Sequence, residues 1–148
     1  MSRIKRAALI CMILLLFAAC LLPVYRKEKL TSNIEYLVTS YKAGKAPYIA
    51  IASIQYISWD KVYLFGGYSS CDDIAAVIGI PDSWFGCEYS GIESTEGATL
   101  FVFIKNGSIV TEAFYYGTDP IYNPEGYSHE QAYFILDEKG RIAFPENK

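Results

Sequence analysis

Leu100-Phe101-Val102-Phe103-Ile104-Lys105-Asn106-Gly107-Ser108-Ile109-Val110-Thr111-Glu112-Ala113-Phe114-Tyr115 is the stretch on which the fold turns. Asn-Gly between two apolar runs signals a β-hairpin, because a type I′ turn needs positive φ at both central residues. Counting back from the turn pairs Ile104 with Ile109 and Val102 with Thr111. The other face then carries Phe103, Val110, Phe101 and Glu112. The first arm is apolar on both faces, so it is expected at the centre of its sheet, with a helix over at least one side. Asn106-Gly107-Ser108 also matches a glycosylation sequon, but a tight turn is a poor acceptor.

Working outward, Ala132–Leu136 and Arg141–Phe144 flank Asp137-Glu138-Lys139-Gly140. This predicts a second hairpin, a type I turn with Gly140 left-handed in a G1 bulge. Tyr48–Ile57 reads as a strand. Trp59–Phe65 reads as another, or as the continuation of the first past a bulge. Alternation puts Trp59, Lys61, Tyr63 and Phe65 on one face and Asp60, Val62 and Leu64 on the other. Lys29–Tyr41 has helical spacing at Leu30, Ile34, Leu37, Val38 and Tyr41, and Gly44 and Pro47 end it. Ser70-Cys71-Asp72-Asp73 reads as a helix start: Ser70 caps, Asp73 stands at the third position, and Gly79 and Pro81 close the helix. The expected fold is α+β: a mostly antiparallel sheet of four or five strands with one or two short helices, preceded by an N-terminal membrane or signal helix.

That N-terminal expectation rests on Arg3, Lys5 and Arg6 followed by an uncharged apolar run from Ala7 to Tyr25. As a helix the run would measure about 28 Å, close to the thickness of a bilayer core. It fits a retained anchor, a cleaved signal peptide, or a lipoprotein signal in which Leu16-Phe17-Ala18-Ala19-Cys20 precedes lipidation of Cys20. Each route puts the rest of the chain outside the cytoplasm; cleavage would release it, whereas the other two hold it in the cell envelope, by the segment or by a lipid on Cys20. Residues 1–25 are thus the signal peptide or anchor, 26–47 a helix and linker, and 48–148 the extracytoplasmic domain. The formal net charge of -3 includes those three N-terminal cations, and no cluster of Lys and Arg exists outside the N-terminal region. Nucleic acid is therefore not an expected partner.

Chemistry-bearing residues are few. In an oxidising compartment Cys71 and Cys87 are expected to form a disulfide. His129 is the one histidine of the chain. With no C-x-x-C pair, zinc is not expected, and no glycine motif marks a phosphate cradle, so no cofactor is implied. Asp60 and Lys61 lack a local explanation, and an ion pair or backbone hydrogen bonds are expected there. The loop from Gly117 to Glu130, with Tyr122, Tyr127 and His129, is a candidate protein-binding surface.

The segment Ile57-Ser58-Trp59-Asp60-Lys61-Val62-Tyr63-Leu64-Phe65-Gly66, with Tyr68 and the helix ending at Gly79, resembles a family of small bacterial envelope proteins and lipoproteins. That family has a tryptophan-aspartate-lysine strand followed by a short helix. Leu100–Lys105 with its Asn106-Gly107 turn is similar as well. Gly67-Tyr68 departs from the proline-tyrosine of that pattern. The resemblance implies location and architecture and carries no catalytic residues. The function expected is that of a membrane-tethered extracytoplasmic domain binding an envelope protein or surface component. An immunity- or inhibitor-like protein and a small hydrolase or thiol enzyme are the alternatives.

Overall fold

The computed structural model describes residues 3–80, 87 and 90–145 and, for 3–9, 14–21 and 23, the backbone alone. In chain order the elements are α1 (Arg3–Lys42), β1 (Ile49–Ala50), β2 (Lys61–Gly66), α2 (Cys71–Ile78), β3 (Ala98–Lys105), β4 (Ser108–Tyr116), β5 (Tyr127–Ser128), β6 (Tyr133–Leu136) and β7 (Ile142–Ala143). Single 3-10 turns lie at Ile51–Ser53, Ile92–Ser94 and His129–Gln131. The class is α+β, as expected, but the strands form two antiparallel sheets rather than one: β4-β3-β2-β5 and β1-β6-β7.

β3 lies between β2 and β4, and both of its faces are covered. Phe101 and Phe103 enter a core with Val62, Leu64, Ala113 and Tyr115, closed by Leu30, Ile34 and Val38 of α1. Those three helix residues recur every fourth position and are fully buried, a stripe that contributes roughly 2 kcal/mol per side chain. Leu100, Val102 and Ile104 enter a second core with Phe65, Phe114, Ile92 and Ile74 of α2. The short sheet completes the first core through Ile49, Phe134 and Ile142.

The two turns form as their residues require. Asn106 and Gly107 both take positive φ (51° and 74°), and Gly140 does likewise (76°). Asp137 organises the second turn: its Oδ1 accepts from the Lys139 and Arg141 amides, and its Oδ2 accepts from the Arg141 guanidinium. Ile104 pairs with Ile109 as counted, but a bulge at Phe103/Ile104 shifts the ladder, so Val102 faces Glu112 and not Thr111. The bulge leaves Val110 exposed and keeps Ala113 and Tyr115 toward α1.

Two further expectations change. Tyr48–Ile57 is not one strand: only Ile49–Ala50 pairs, and the chain then turns through Ile51–Ser53. The buried residues are Ile49, Ile51, Ala52, Ile54 and Ile57, so the spacing is not that of a strand after Ile51. Trp59 does not share a face with Tyr63 and Phe65. It precedes β2, joins the Val62 and Leu64 side, meets Phe103 edge-on at 5.4 Å, and donates its indole N–H to the Ile54 carbonyl.

α1 carries the expected Lys29–Tyr41 helix as its C-terminal part, without a break from the preceding apolar run. Gly44 (φ 68°) ends it, with the Lys45 amide donating to the Ser40 carbonyl. Among the described residues no helix is long and apolar enough to cross a membrane. Most of the side chains between 1 and 25, Cys20 included, lie outside those described.

α2 is capped as its sequence predicts. Ser70 Oγ accepts from the Asp73 amide, and Gly79 is left-handed at the other end. The Cys71–Cys87 disulfide is formed, with Cα atoms 5.5 Å apart; Pro81, expected to close α2, lies outside the described residues, as do 84–86 before Cys87. Replacing both cysteines by serine is expected to cost about 3 kcal/mol in urea unfolding, and reductant should weaken the wild type but not the variant. Gly67 should be the least replaceable glycine: a Cβ there would stand 2.0 Å from the Thr95 carbonyl oxygen. Gly67→Ala is expected to destabilise by at least about 2 kcal/mol more than Gly79→Ala, where only the left-handed φ is at issue.

Candidate functional site

The short sheet has two unlike faces. Ile49 and Phe134, paired across β1 and β6, point into the core. Their neighbours Tyr48 and Tyr133 point outward, since alternate residues of a strand face opposite ways. Their rings meet edge-on, with centroids 6.3 Å apart and planes at 77°. Phe144, just beyond β7, adds a third ring. It stacks on Tyr127 at 6.0 Å, and Tyr127 in turn meets Phe134 at 4.8 Å. Tyr48, Tyr133 and Phe144 remain 43%, 41% and 42% exposed, so the fold leaves these rings partly unused.

With Glu130, Gln131 and Pro145 these rings line a hollow of about 350 Å³. Tyr48, Phe144 and Pro145 also border a wider groove that continues past Ile121, Leu136, Glu138 and Arg141. Gln131 is positioned by the Ser128 backbone: its side-chain oxygen accepts from the Ser128 amide while Ser128 caps the turn. The arrangement is an aromatic recess with acidic side chains at its border. Among the residues lining the hollow there is no serine, threonine, cysteine or lysine.

The residues singled out in the sequence are dispersed. Asp60 accepts from Lys105 Nζ and from the Asn106 amide, so it ties β2 to the hairpin turn. The Lys105 hydrogen bond, then that of Asn106, holds its carboxyl below the usual carboxylate range. Lys61 lies over the Tyr63 ring at 5.7 Å, and both pack against Gly126, where a Cβ would come within 2.9 Å of that ring. His129 lies against Trp59, ring centroids 4.5 Å apart and planes tilted by 35°, and its amide donates to the Asp60 carbonyl. Tyr127 is buried and pairs with Val62, and burial pushes its phenol above the ordinary range. Tyr122 is exposed and lines a separate hollow with Phe65, Ser69, Asp73 and Val77. The Gly117–Glu130 loop thus distributes its three candidates among the core, the Trp59 ring and the α2 side. The amide of Ile121 donates to Ile142, which pins the loop to β7.

Around α2, Ser70 and Asp73 bond each other, and the Cys71 amide donates to Glu93 at 2.7 Å. Cys71 carries its sulfur in a disulfide, so no thiol stands at that helix start. Among the described residues no group of three or more His, Cys, Asp or Glu side chains could hold a metal ion.

Sequence reasoning missed Tyr48, Tyr133 and Phe144 as site residues. The available signal was the alternation Tyr48-Ile49 and Tyr133-Phe134, an aromatic residue beside an inward-facing apolar one on two paired strands. No family model, no curated protein and no solved structure matches the chain.

The depressed carboxyl of Asp60 makes a pH-dependent prediction. Its folded-state pKa lies below the unfolded value, so its contribution is present above the unfolded pKa and is lost as pH falls through the folded one. The stability difference between wild type and Asp60→Asn, read from urea midpoints, should be constant near neutral pH and should shrink as pH falls below about 4.

Proposed function

We propose that this chain is a membrane-tethered extracytoplasmic domain that presents the Tyr48–Tyr133–Phe144 recess to another component of the cell envelope. The continuity of α1 carries this reading. Its C-terminal part is packed on the first core through Leu30, Ile34 and Val38, and Lys27 is salt-bridged to Glu112 of the edge strand at 2.7 Å. On the N-terminal side of that bridge Ile10, Met12, Ile13, Leu22, Val24 and Tyr25 are exposed. Exposed apolar side chains on a helix leading out of a folded domain suit a membrane tether, though among the described residues no helix is by itself long and apolar enough to span the bilayer. Arg3, Lys5, Arg6 and the amino terminus before it favour an inside N-terminus, which puts the domain outside, but Arg26, Lys27 and Lys29 on the other flank make that preference weak.

The disulfide fits an oxidising compartment. The likeness of the Trp59–Gly79 segment to small envelope proteins and lipoproteins points the same way, and a lipid on Cys20 remains the other form of tether. The recess opens beside Tyr48, six residues past the end of α1 and away from the apolar run. A surface so placed would face partners and not the bilayer. An inhibitor-like role would use the same recess on a single target. A thiol enzyme is disfavoured by the bonded state of Cys71.

Fractionation of native cells with external protease tests the location. The full chain should remain with membranes after a carbonate wash, and the domain should be cleaved only when protease reaches the outer side. Recovery in the soluble cytoplasm would contradict it. Intact-mass analysis after labelled palmitate separates lipidated Cys20 from an uncleaved helix. For recognition, a photo-crosslinking residue at Tyr133 should yield a discrete adduct, whereas one at exposed Tyr36 on α1 should not.

A further inference from the structure

We propose that the recess formed by Tyr48, Tyr133, Phe144 and Glu130 binds a quaternary ammonium group such as the choline headgroup. The inference rests on the reading of this recess as the recognition surface and names its ligand class. Tyr48 and Tyr133 form two walls of a corner, their planes at 77° and their centroids 6.3 Å apart. Phe144 and Pro145 border the same hollow of about 350 Å³, which has room for a trimethylammonium group. An aromatic face carries negative potential, so rings bordering one hollow attract a cation without hydrogen bonds.

The cage is set before any ligand arrives. Phe144 is held by Tyr127, which is itself fixed against Phe134 in the core. Tyr133 is fixed by its ladder pairing with Ala50. Glu130 is the carboxylate lining the hollow, and among the described residues it forms no salt bridge and no side-chain hydrogen bond. It therefore supplies a counter-charge. The neighbouring Asp137 does not serve, because it already holds Arg141 and two amides.

The chemistry favours a methylated over a primary ammonium. A primary ammonium is strongly hydrated and needs acceptors for three N–H groups. Gln131 has already committed its oxygen to the Ser128 amide, and three of the six lining residues are aromatic. A quaternary ammonium has no N–H to satisfy and sheds water at lower cost, so rings plus one carboxylate suffice.

The test uses the full chain in maltoside micelles, which contain no ammonium group, with choline and tetramethylammonium as probes. Saturation-transfer NMR should show contact at the N-methyl protons. Dimethylbutanol, the neutral carbon isostere of choline, should bind at least about tenfold more weakly. Tyr48→Ala and Tyr133→Ala should each weaken choline about tenfold, and Glu130→Gln should weaken it several-fold, with circular dichroism of each variant unchanged. Vesicles of phosphatidylcholine compared with phosphatidylglycerol, set beside free choline, distinguish a lipid source from a soluble one. Equal binding of the neutral isostere, or no saturation transfer to either ammonium, would overturn the proposal. If either result came with a specific crosslink at Tyr133, the recognition surface would stand and only its ligand class would fall.

Discussion

β3 turns Phe101 and Phe103 to one side and Leu100, Val102 and Ile104 to the other, and all five are buried. A strand of that composition cannot lie at a sheet edge or face water on either side without exposing large apolar surface. It needs strands on both flanks and cover on both faces. β2 and β4 supply the flanks, and α1 and α2 help to supply the cover. The other elements follow from that demand. α1 docks by one stripe. α2 is capped by Ser70 and tied by the disulfide. The short sheet fills what α1 leaves open of the first core.

The part of this visible in the sequence is the part governed by local rules. The Asn106-Gly107 turn has one comfortable backbone geometry, so the hairpin could be read from two residues. Ser70 and Gly79 delimit α2 for the same reason, and the Leu30, Ile34 and Val38 spacing reveals the buried face of α1. What escaped depends on distant partners. The bulge at Phe103/Ile104 is invisible because both faces of the strand are apolar, so a slipped register leaves the hydrophobic pattern intact. Trp59 stands one step before β2 begins, so alternation counted through it assigns the wrong face. The division into two sheets depends on where Tyr133–Leu136 finds its partners, and composition says nothing of that.

The recess was hidden for a related reason. Tyr127 and Tyr133 are six positions apart and chemically identical, yet one is core and the other is wall. Pairing of Val62 with Tyr127 and of Ala50 with Tyr133 decides which is which. Asp60 and His129 drew attention as reactive types, but each has a structural occupation, one at the hairpin turn and one on Trp59. The same core that orders them also orders Phe144 through Tyr127. In this way the packing behind the short sheet reaches its outer surface, and an anchored α1 would hold that surface away from the bilayer.

The central claim is that β3 is the element on which both cores depend. Native-state hydrogen exchange of the β3 amides between Leu100 and Ile104 tests it most directly. Their exchange should require global unfolding, with an opening free energy equal to that from urea denaturation and higher than that of the short β6–β7 ladder. Exchange of the β3 amides at a lower free energy than those of Ile135 or Leu136 would contradict the account.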